Sequence, residues 1–306
     1  MTNGYALVIG SMGIEIKAFA PAPLGAVNPG QVRNSLGGGA RNIAENLARL
    51  DVPTVLLSAV GSDGPARRLI RWMRKFHVDT RHVRVVADGR TANFVSLVDE
   101  AGEPTLTIHD TEIMTAVDSN YLWKHEPLFE KAAVIVIDAT LNEEALATAF
   151  EIAARYHVRV CADPTSPTFA AKLRPHLAGL FLVTPNAAEA AALCDQPAED
   201  RDSALEVARK LVTLGTMIAV VTLGEQGAAY AHSGGSGFIR AVRTKVIDPT
   251  GAGDAFTGAV IFGLLNDVAI DEAMRLGMTA AALTLQVPDT VFPGLTQELL
   301  YDKLVV

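Results

Sequence analysis

The chain has 306 residues, 49% of them hydrophobic and 20% charged, enough to bury the core of one large α/β domain with a small addition. Its formal net charge of -8 disfavours a nucleic-acid partner, which calls for a basic face, but leaves room for a small anion held by backbone N–H groups. Two cysteines without a CxxC pair, no basic run ahead of an apolar one at the N-terminus, and no apolar stretch of membrane-spanning length lead to the expectation of a reduced, cytoplasmic protein.

Taken in order, Tyr5-Ala-Leu-Val-Ile9 reads as a buried strand ending in a Gly10-Ser11 turn. Residues 14–35, with three prolines, several glycines and short alternating pieces, read as an antiparallel excursion from the main domain. Gly37-Gly-Gly39 introduces a helix carrying Ile43, Leu47 and Leu50. A strand follows at 54–60, then a helix marked by Leu69, Ile70 and Met73. The alternation from Thr91 to His109 predicts a hairpin with its turn near Glu100-Ala-Gly102, pairing with the first excursion in a small sheet. From Ala132 strands at 133–137, 158–161, 180–183 and 217–221 alternate with helices at 142–156 and 202–214, which predicts a mostly parallel sheet covered on both faces. Helices at 253–265 and 271–285 close the chain. The loops after strand C-termini (Asp163-Pro164, Thr184-Pro-Asn186, Thr222-Leu-Gly224) are where a site is expected.

The most informative stretch is Asp248-Pro-Thr-Gly-Ala-Gly-Asp254, a small-residue turn running into an apolar helix. Unpaired N–H groups and the helix dipole make such a turn an anion site, most often for phosphate. Taken alone, Asp254 reads more readily as a cap; the small residues around it reverse that preference, because a carboxylate beside a phosphoryl group can take the proton of an attacking hydroxyl. Asn186 and Glu189 read equally well as a helix cap and as a pair facing a hydrated Mg²⁺. Asp248 is either an ordinary turn residue before Pro249 or a ligand for a monovalent cation. Gly224 and Gly227 form a hairpin turn or let the backbone approach a nucleotide. No P-loop is present, Gly37-Gly-Gly39-Ala-Arg-Asn42 fails as a dinucleotide fingerprint, and the seven histidines show no metal spacing.

With these residues in place, the chain resembles the ribokinase-like (PfkB) carbohydrate kinases along nearly its whole length. Asp248–Asp254 is similar to the family's C-terminal signature, Gly37-Gly38 with Asn42 to its N-terminal one, and Thr184-Pro-Asn-Ala-Ala-Glu189 to its Mg²⁺ motif. The resemblance implies one ribokinase-like three-layer α/β domain over 1–306, with a β-sheet lid made by excursions at about 14–36 and 90–110 and often paired between two subunits. It implies Asp254 as base and the amides of Gly251, Ala252 and Gly253 as anion hole. Glu15, Gly38, Arg41 and Asn42 would meet the acceptor. Asn186, Thr222, Gly224, Gly227, Thr250, Gly251 and Gly253 would meet ATP. Asn186 and Glu189 would act on Mg²⁺ through water, and Asp248 on a monovalent cation such as K⁺. Asn28-Pro-Gly30, Gly37–Ala44, Leu57–Asp63 and Thr107–Asp110 resemble the pseudouridine-kinase branch, so the implied reaction is phosphorylation of a ribosyl 5′-hydroxyl; a free-sugar kinase and a non-catalytic ligand-binding relative are the alternatives. Gly13 and Glu15 depart from the family, which commonly has Asn and Asp there.

Overall fold

A computed structural model of the chain describes residues 4–20, 27–99 and 104–304; the turn expected near Glu100-Ala-Gly102 lies outside them. The strands are β1 (Tyr5–Ile9), β2 (Gly13–Phe19), β3 (Gln31–Gly37), β4 (Thr54–Gly61), β5 (Val83–Val86), β6 (Ala92–Val98), β7 (Pro104–Asp110), β8 (Ala132–Asp138), β9 (Val160–Asp163), β10 (Leu180–Val183), β11 (Ile218–Thr222), β12 (Gly227–His232) and β13 (Gly235–Arg240). Nine form one sheet in the order β13-β12-β11-β10-β9-β8-β1-β4-β5, and β3-β2-β6-β7 form a second, smaller sheet.

The large sheet is parallel from β5 to β11. Its last two strands are antiparallel, which the strand–helix rhythm does not announce. Only a short 3-10 turn at Gly224–Gln226 joins β11 to β12, too little chain for a crossover. β5 is a short, half-exposed edge strand with no apolar run to mark it.

Side chains alternate across the parallel strands, so each strand feeds two cores. Leu7, Ile9, Leu57, Ile135, Ile137 and Val221 pack on one face with Leu146, Ile152, Val207 and Leu211 from the helices Glu143–Arg155 and Arg201–Thr213. Ala6, Val8, Leu56, Val136 and Val220 pack on the other, beneath the helices Gly39–Arg49, Ala252–Leu265 and Ile270–Thr284. Burial on both faces explains why these strands read as continuous apolar runs. Every residue from Ala255 to Gly263 is buried, as befits a helix apolar all round.

In the small sheet β2 pairs antiparallel with β3 and parallel with β6, and β6 pairs antiparallel with β7. The two excursions therefore meet in one sheet, through a central parallel pair. Among the described residues, no helix is long and apolar enough to cross a membrane. Cys161 and Cys194 are both buried and unpaired with each other.

Candidate active site

Carboxylates gather at the C-terminal ends of β8, β9 and β10, the edge where a parallel sheet places its site. Asp138 ends β8 and is fully buried. One oxygen accepts from the Ser11 N–H (2.8 Å), the Ser11 hydroxyl (2.6 Å) and the Ala40 N–H (3.0 Å); the other accepts from the Thr140 N–H (3.0 Å) and hydroxyl. Asp138 thereby ties the turn after β1 to the N-terminus of the Gly39–Arg49 helix. Asp163 ends β9 and accepts from the Thr165 N–H at 2.8 Å. Asn186 and Glu189 form a reciprocal capping box after β10: Asn186 Oδ1 accepts from the Glu189 N–H (3.0 Å) and Glu189 Oε2 from the Asn186 N–H (2.9 Å). The cap, one of the two readings of this pair, is therefore formed, and both residues also line the smaller cavity described below.

Asp254 lies in the first turn of the Ala252–Leu265 helix, whose N-cap is Gly251 at φ +85°. A Cβ on Gly251 would lie 1.9 Å from the Thr290 carbonyl oxygen, so both conformation and space demand glycine there. Farther along, Gly258 lets this helix approach the Gly39–Arg49 helix at Asn46, where an added Cβ would lie 2.9 Å from that residue's Cβ. One turn earlier on each helix Asn42 meets Asp254, Nδ2 donating to Oδ2 at 2.7 Å. Asn42 is itself held in orientation, because its Oδ1 accepts from Arg41 Nη1 (2.7 Å) and from the Thr290 hydroxyl (3.0 Å).

Like charge and burial act together on this cluster. Burial, then the Asp163 charge, push Asp254 well above the usual carboxylate range, against the lowering hydrogen bond from Asn42. The same causes push Glu189 to about 8. Burial, then Asp138, push Asp163 to about 6. Burial also lifts Glu15 of β2 to about 7, with Lys17 opposing. Such a set of hard oxygen donors fits Mg²⁺. Among the described residues no three acidic, His or Cys side chains close into a metal cage, so the fit is to an ion that keeps waters or phosphate oxygens as ligands.

Two cavities meet here. One, of about 280 Å³, is lined by Glu15, Gly38, Asn42, Asn186, Glu189, Thr222, Thr250, Gly251, Gly253 and Asp254, together with Gly39, Phe94, His109, Asp163, Thr165 and Thr184. The other, of about 890 Å³, is more apolar and is lined by Thr222, Gly224, Gly227, Ala252, Gly253 and Phe256 among others. They share Thr222 and Gly253. Gly224 and Gly227 thus serve both as the hairpin turn and as cavity wall. In the smaller cavity Phe94 and His109, from β6 and β7, form an aromatic wall: their rings meet edge to face at 5.3 Å, and His109 stacks on Phe169 at 6.1 Å.

Two expected ligand residues lie elsewhere. Arg41 is 3% exposed and lines neither cavity; its guanidinium donates to Leu36 O, Asn42 and Thr290 and pairs with Glu45. It turns inward because Glu45 lies one helical turn along the same face. Asp248 is also buried, and its carboxylate is ion-paired with Lys17 of β2 rather than left open for a monovalent cation. Asp138, Phe94 and Thr165 are cavity or site residues that no motif contains, and His109 lies within the Thr107–Asp110 stretch without being singled out there. The position of Asp138 at a parallel-strand C-terminus was the available signal.

The raised carboxyl pKa values fix the sign of a stability effect. These groups hold protons in the fold that the unfolded chain gives up near pH 4, so their contribution is full below about pH 4 and is lost as pH rises through about 6 to 8. The melting temperature of Glu189→Gln, followed by scanning fluorimetry, is expected to gain a few degrees on the native chain between pH 5 and pH 8. Parallel pH curves for the two would contradict the assignment. Gly251 and Gly253 should separate fold from site. An added Cβ at Gly251 strikes Thr290, whereas at Gly253 it meets nothing within 4 Å and projects into open space. Gly251→Ala should lower the melting temperature strongly. Gly253→Ala should leave it unchanged or higher. Equal stability of the two variants would contradict the geometry.

The model of the pfkB family of carbohydrate kinases matches residues 3–297. Pseudouridine kinase of Escherichia coli (strain K12) is 32% identical over 295 residues, covering 95% of this chain and 94% of its own length. Ribokinase of Staphylococcus aureus (strain COL) is 26% identical over 294 residues, covering 94% of each chain. The structure of Arabidopsis thaliana ribokinase, complexed with ribose and ATP, superposes with a TM-score of 0.86 over 100% of both chains at 20% identity, a likeness of fold. The chain belongs to the pfkB family of carbohydrate kinases and has the ribokinase-like fold.

Proposed function

We propose that this protein is an ATP-dependent kinase that phosphorylates the 5′-hydroxyl of a nucleoside, with pseudouridine as the best candidate acceptor. One observation carries the reading: a carboxylate and an anion-binding helix N-terminus lie together at the junction of two cavities, one polar and small, the other larger and more apolar. Adenine and ribose fit the larger cavity along residues 222–253, with the phosphates directed at Thr250–Gly253. The acceptor fits the smaller one, its ribose hydroxyls near Glu15, Gly38 and Asn42.

Asp254 takes the proton of the acceptor hydroxyl as that oxygen attacks the γ-phosphorus; the bond from phosphorus to the β,γ-bridging oxygen breaks and ADP leaves. Asn42 holds the carboxylate in line. The amides of Gly251, Ala252 and Gly253 receive the charge that builds on the transferred group. Asn186 and Glu189 would hold Mg²⁺ through its water shell, and the ion would supply neutralisation of phosphate charge.

Two observations favour a nucleoside over a free sugar. The Phe94–His109 wall offers a π face to a flat base, which ribose lacks. The similarity to a pseudouridine kinase is also higher than to the ribokinases. The small sheet reads as a lid that excludes water from the phosphates. Val32, Leu106 and Ile108 on β3 and β7 are more than half exposed, which supports pairing of two lids in a homodimer. A cytoplasmic kinase acting on small molecules, with no nucleic-acid partner, agrees with the charge of -8.

The test is ADP release from Mg²⁺-ATP with pseudouridine, uridine, ribose and fructose as separate acceptors. Pseudouridine is expected to give the highest kcat/KM. Ribose or fructose ahead would overturn the nucleoside reading in favour of a sugar kinase. No turnover with any acceptor despite ligand binding would favour a non-catalytic relative.

A further inference from the structure

Lys17 is unusual for a lysine. It sits on β2 of the small sheet with its side chain only 11% exposed, and so does the side chain of its partner Asp248. Its ammonium donates to Asp248 Oδ1 and to the Thr250 hydroxyl oxygen. Asp248 Oδ1 also accepts from the Thr250 N–H at 2.9 Å. One side chain from the small sheet therefore holds both ends of the segment that enters the phosphate turn.

Two consequences follow from charge and hydrogen-bond polarity. Asp248 stands three residues before Gly251; an unpaired carboxylate there would oppose the positive potential of the turn, and the ammonium cancels it. An ammonium has three donors and no acceptor, so Thr250 Oγ1 must accept from Lys17. The Thr250 hydroxyl hydrogen is then left to donate elsewhere, and Thr250 lines the smaller cavity beside Gly251 and Gly253. A buried ion pair is seldom the most stabilising way to join two sheets, since apolar residues of like volume do as well or better. A role at the site accounts for its presence better than sheet adhesion does.

We propose that Lys17 is the resident cation of the phosphate turn: it neutralises Asp248, sets Thr250 as a donor toward bound phosphate, and takes the place of a free monovalent cation at that carboxylate. Lys17 acts as a positioning residue, and its effect on phosphate rests on the kinase reading above. Because β2 also carries Glu15 to the acceptor cavity, seating of the small sheet and ordering of the turn become one event.

The test measures binding of Mg²⁺ with a non-hydrolysable ATP analogue by calorimetry, needing no acceptor. Native protein, Lys17→Met and Lys17→Arg are compared in potassium chloride and in tetramethylammonium chloride at equal ionic strength. Native affinity is expected to agree between the salts to within about twofold. Lys17→Met should bind about tenfold or more weakly in tetramethylammonium, the scale of a lost charge-assisted hydrogen bond, and recover in potassium; Lys17→Arg should stay near native in both. Loss of native affinity on withdrawing potassium would overturn the proposal, and so would native-like binding by Lys17→Met in tetramethylammonium. If the native protein binds no nucleotide, the kinase reading fails, and melting temperatures in the same salts decide the role of Lys17. A potassium-specific gain confined to Lys17→Met would support it, and the same gain in the native protein would overturn it.

Discussion

The site depends on a crowd of buried and half-buried carboxylates held against two helix N-termini. Asp138 accepts from the first turn of the Gly39–Arg49 helix, and Asp254 belongs to the first turn of the Ala252–Leu265 helix. Gly39 lies between them; a Cβ there would be 3.5 Å from Asp138 Oδ2 and 3.6 Å from Asp254 Oδ1. The helix dipoles favour negative charge at this point, while burial and mutual repulsion oppose it. The balance leaves Asp163, Glu189 and Asp254 with raised pKa values. A proton acceptor works best with a pKa near the working pH, and a cation arriving with phosphates would relieve the remaining repulsion.

Much of the fold is arranged around that balance. Parallel strands put Asp138 and Asp163 at one edge, because all their C-termini point the same way. Close packing at Asn46 and Gly258 sets the separation of the two helices and so the contact of Asn42 with Asp254. Arg41 and Thr290 fix the Asn42 amide so that its NH₂ end faces the carboxylate. The small sheet then brings Glu15 and the aromatic wall of Phe94 and His109 to the smaller cavity, and Lys17 to the turn.

The parts legible in the sequence were those whose chemistry is local. The turn at 248–254 announces itself through small residues ahead of an apolar helix, and Asp254 stands out as a carboxylate in an anion site. Alternation revealed the two excursions, and both-faced burial revealed the parallel strands. The Asn186–Glu189 capping box is one of two readings that spacing alone leaves equal, and the fold forms it at the wall of the smaller cavity. Features made by long-range contact were not legible. Asp138 accepts from Ser11, 127 residues away, and from Ala40, 98 residues away. Lys17 and Asp248 are 231 residues apart, and nothing near either one signals the other. Arg41, which the family resemblance places at the acceptor, is turned by helical phase onto Glu45. The antiparallel end of the large sheet followed from a connection too short to cross over, a property of the loop rather than of the strands.

In the proposed mechanism Asp254 takes the proton, and anion binding at the turn does not depend on it. The most direct measurement pairs single-turnover phosphoryl transfer with nucleotide binding for Asp254→Asn, which keeps size and a hydrogen-bonding oxygen for Asn42 but cannot accept the proton. Transfer is expected to fall by about 10²-fold or more, the scale of positioned acid–base catalysis, while nucleotide affinity stays within about threefold of native. Near-native transfer by Asp254→Asn would contradict the account.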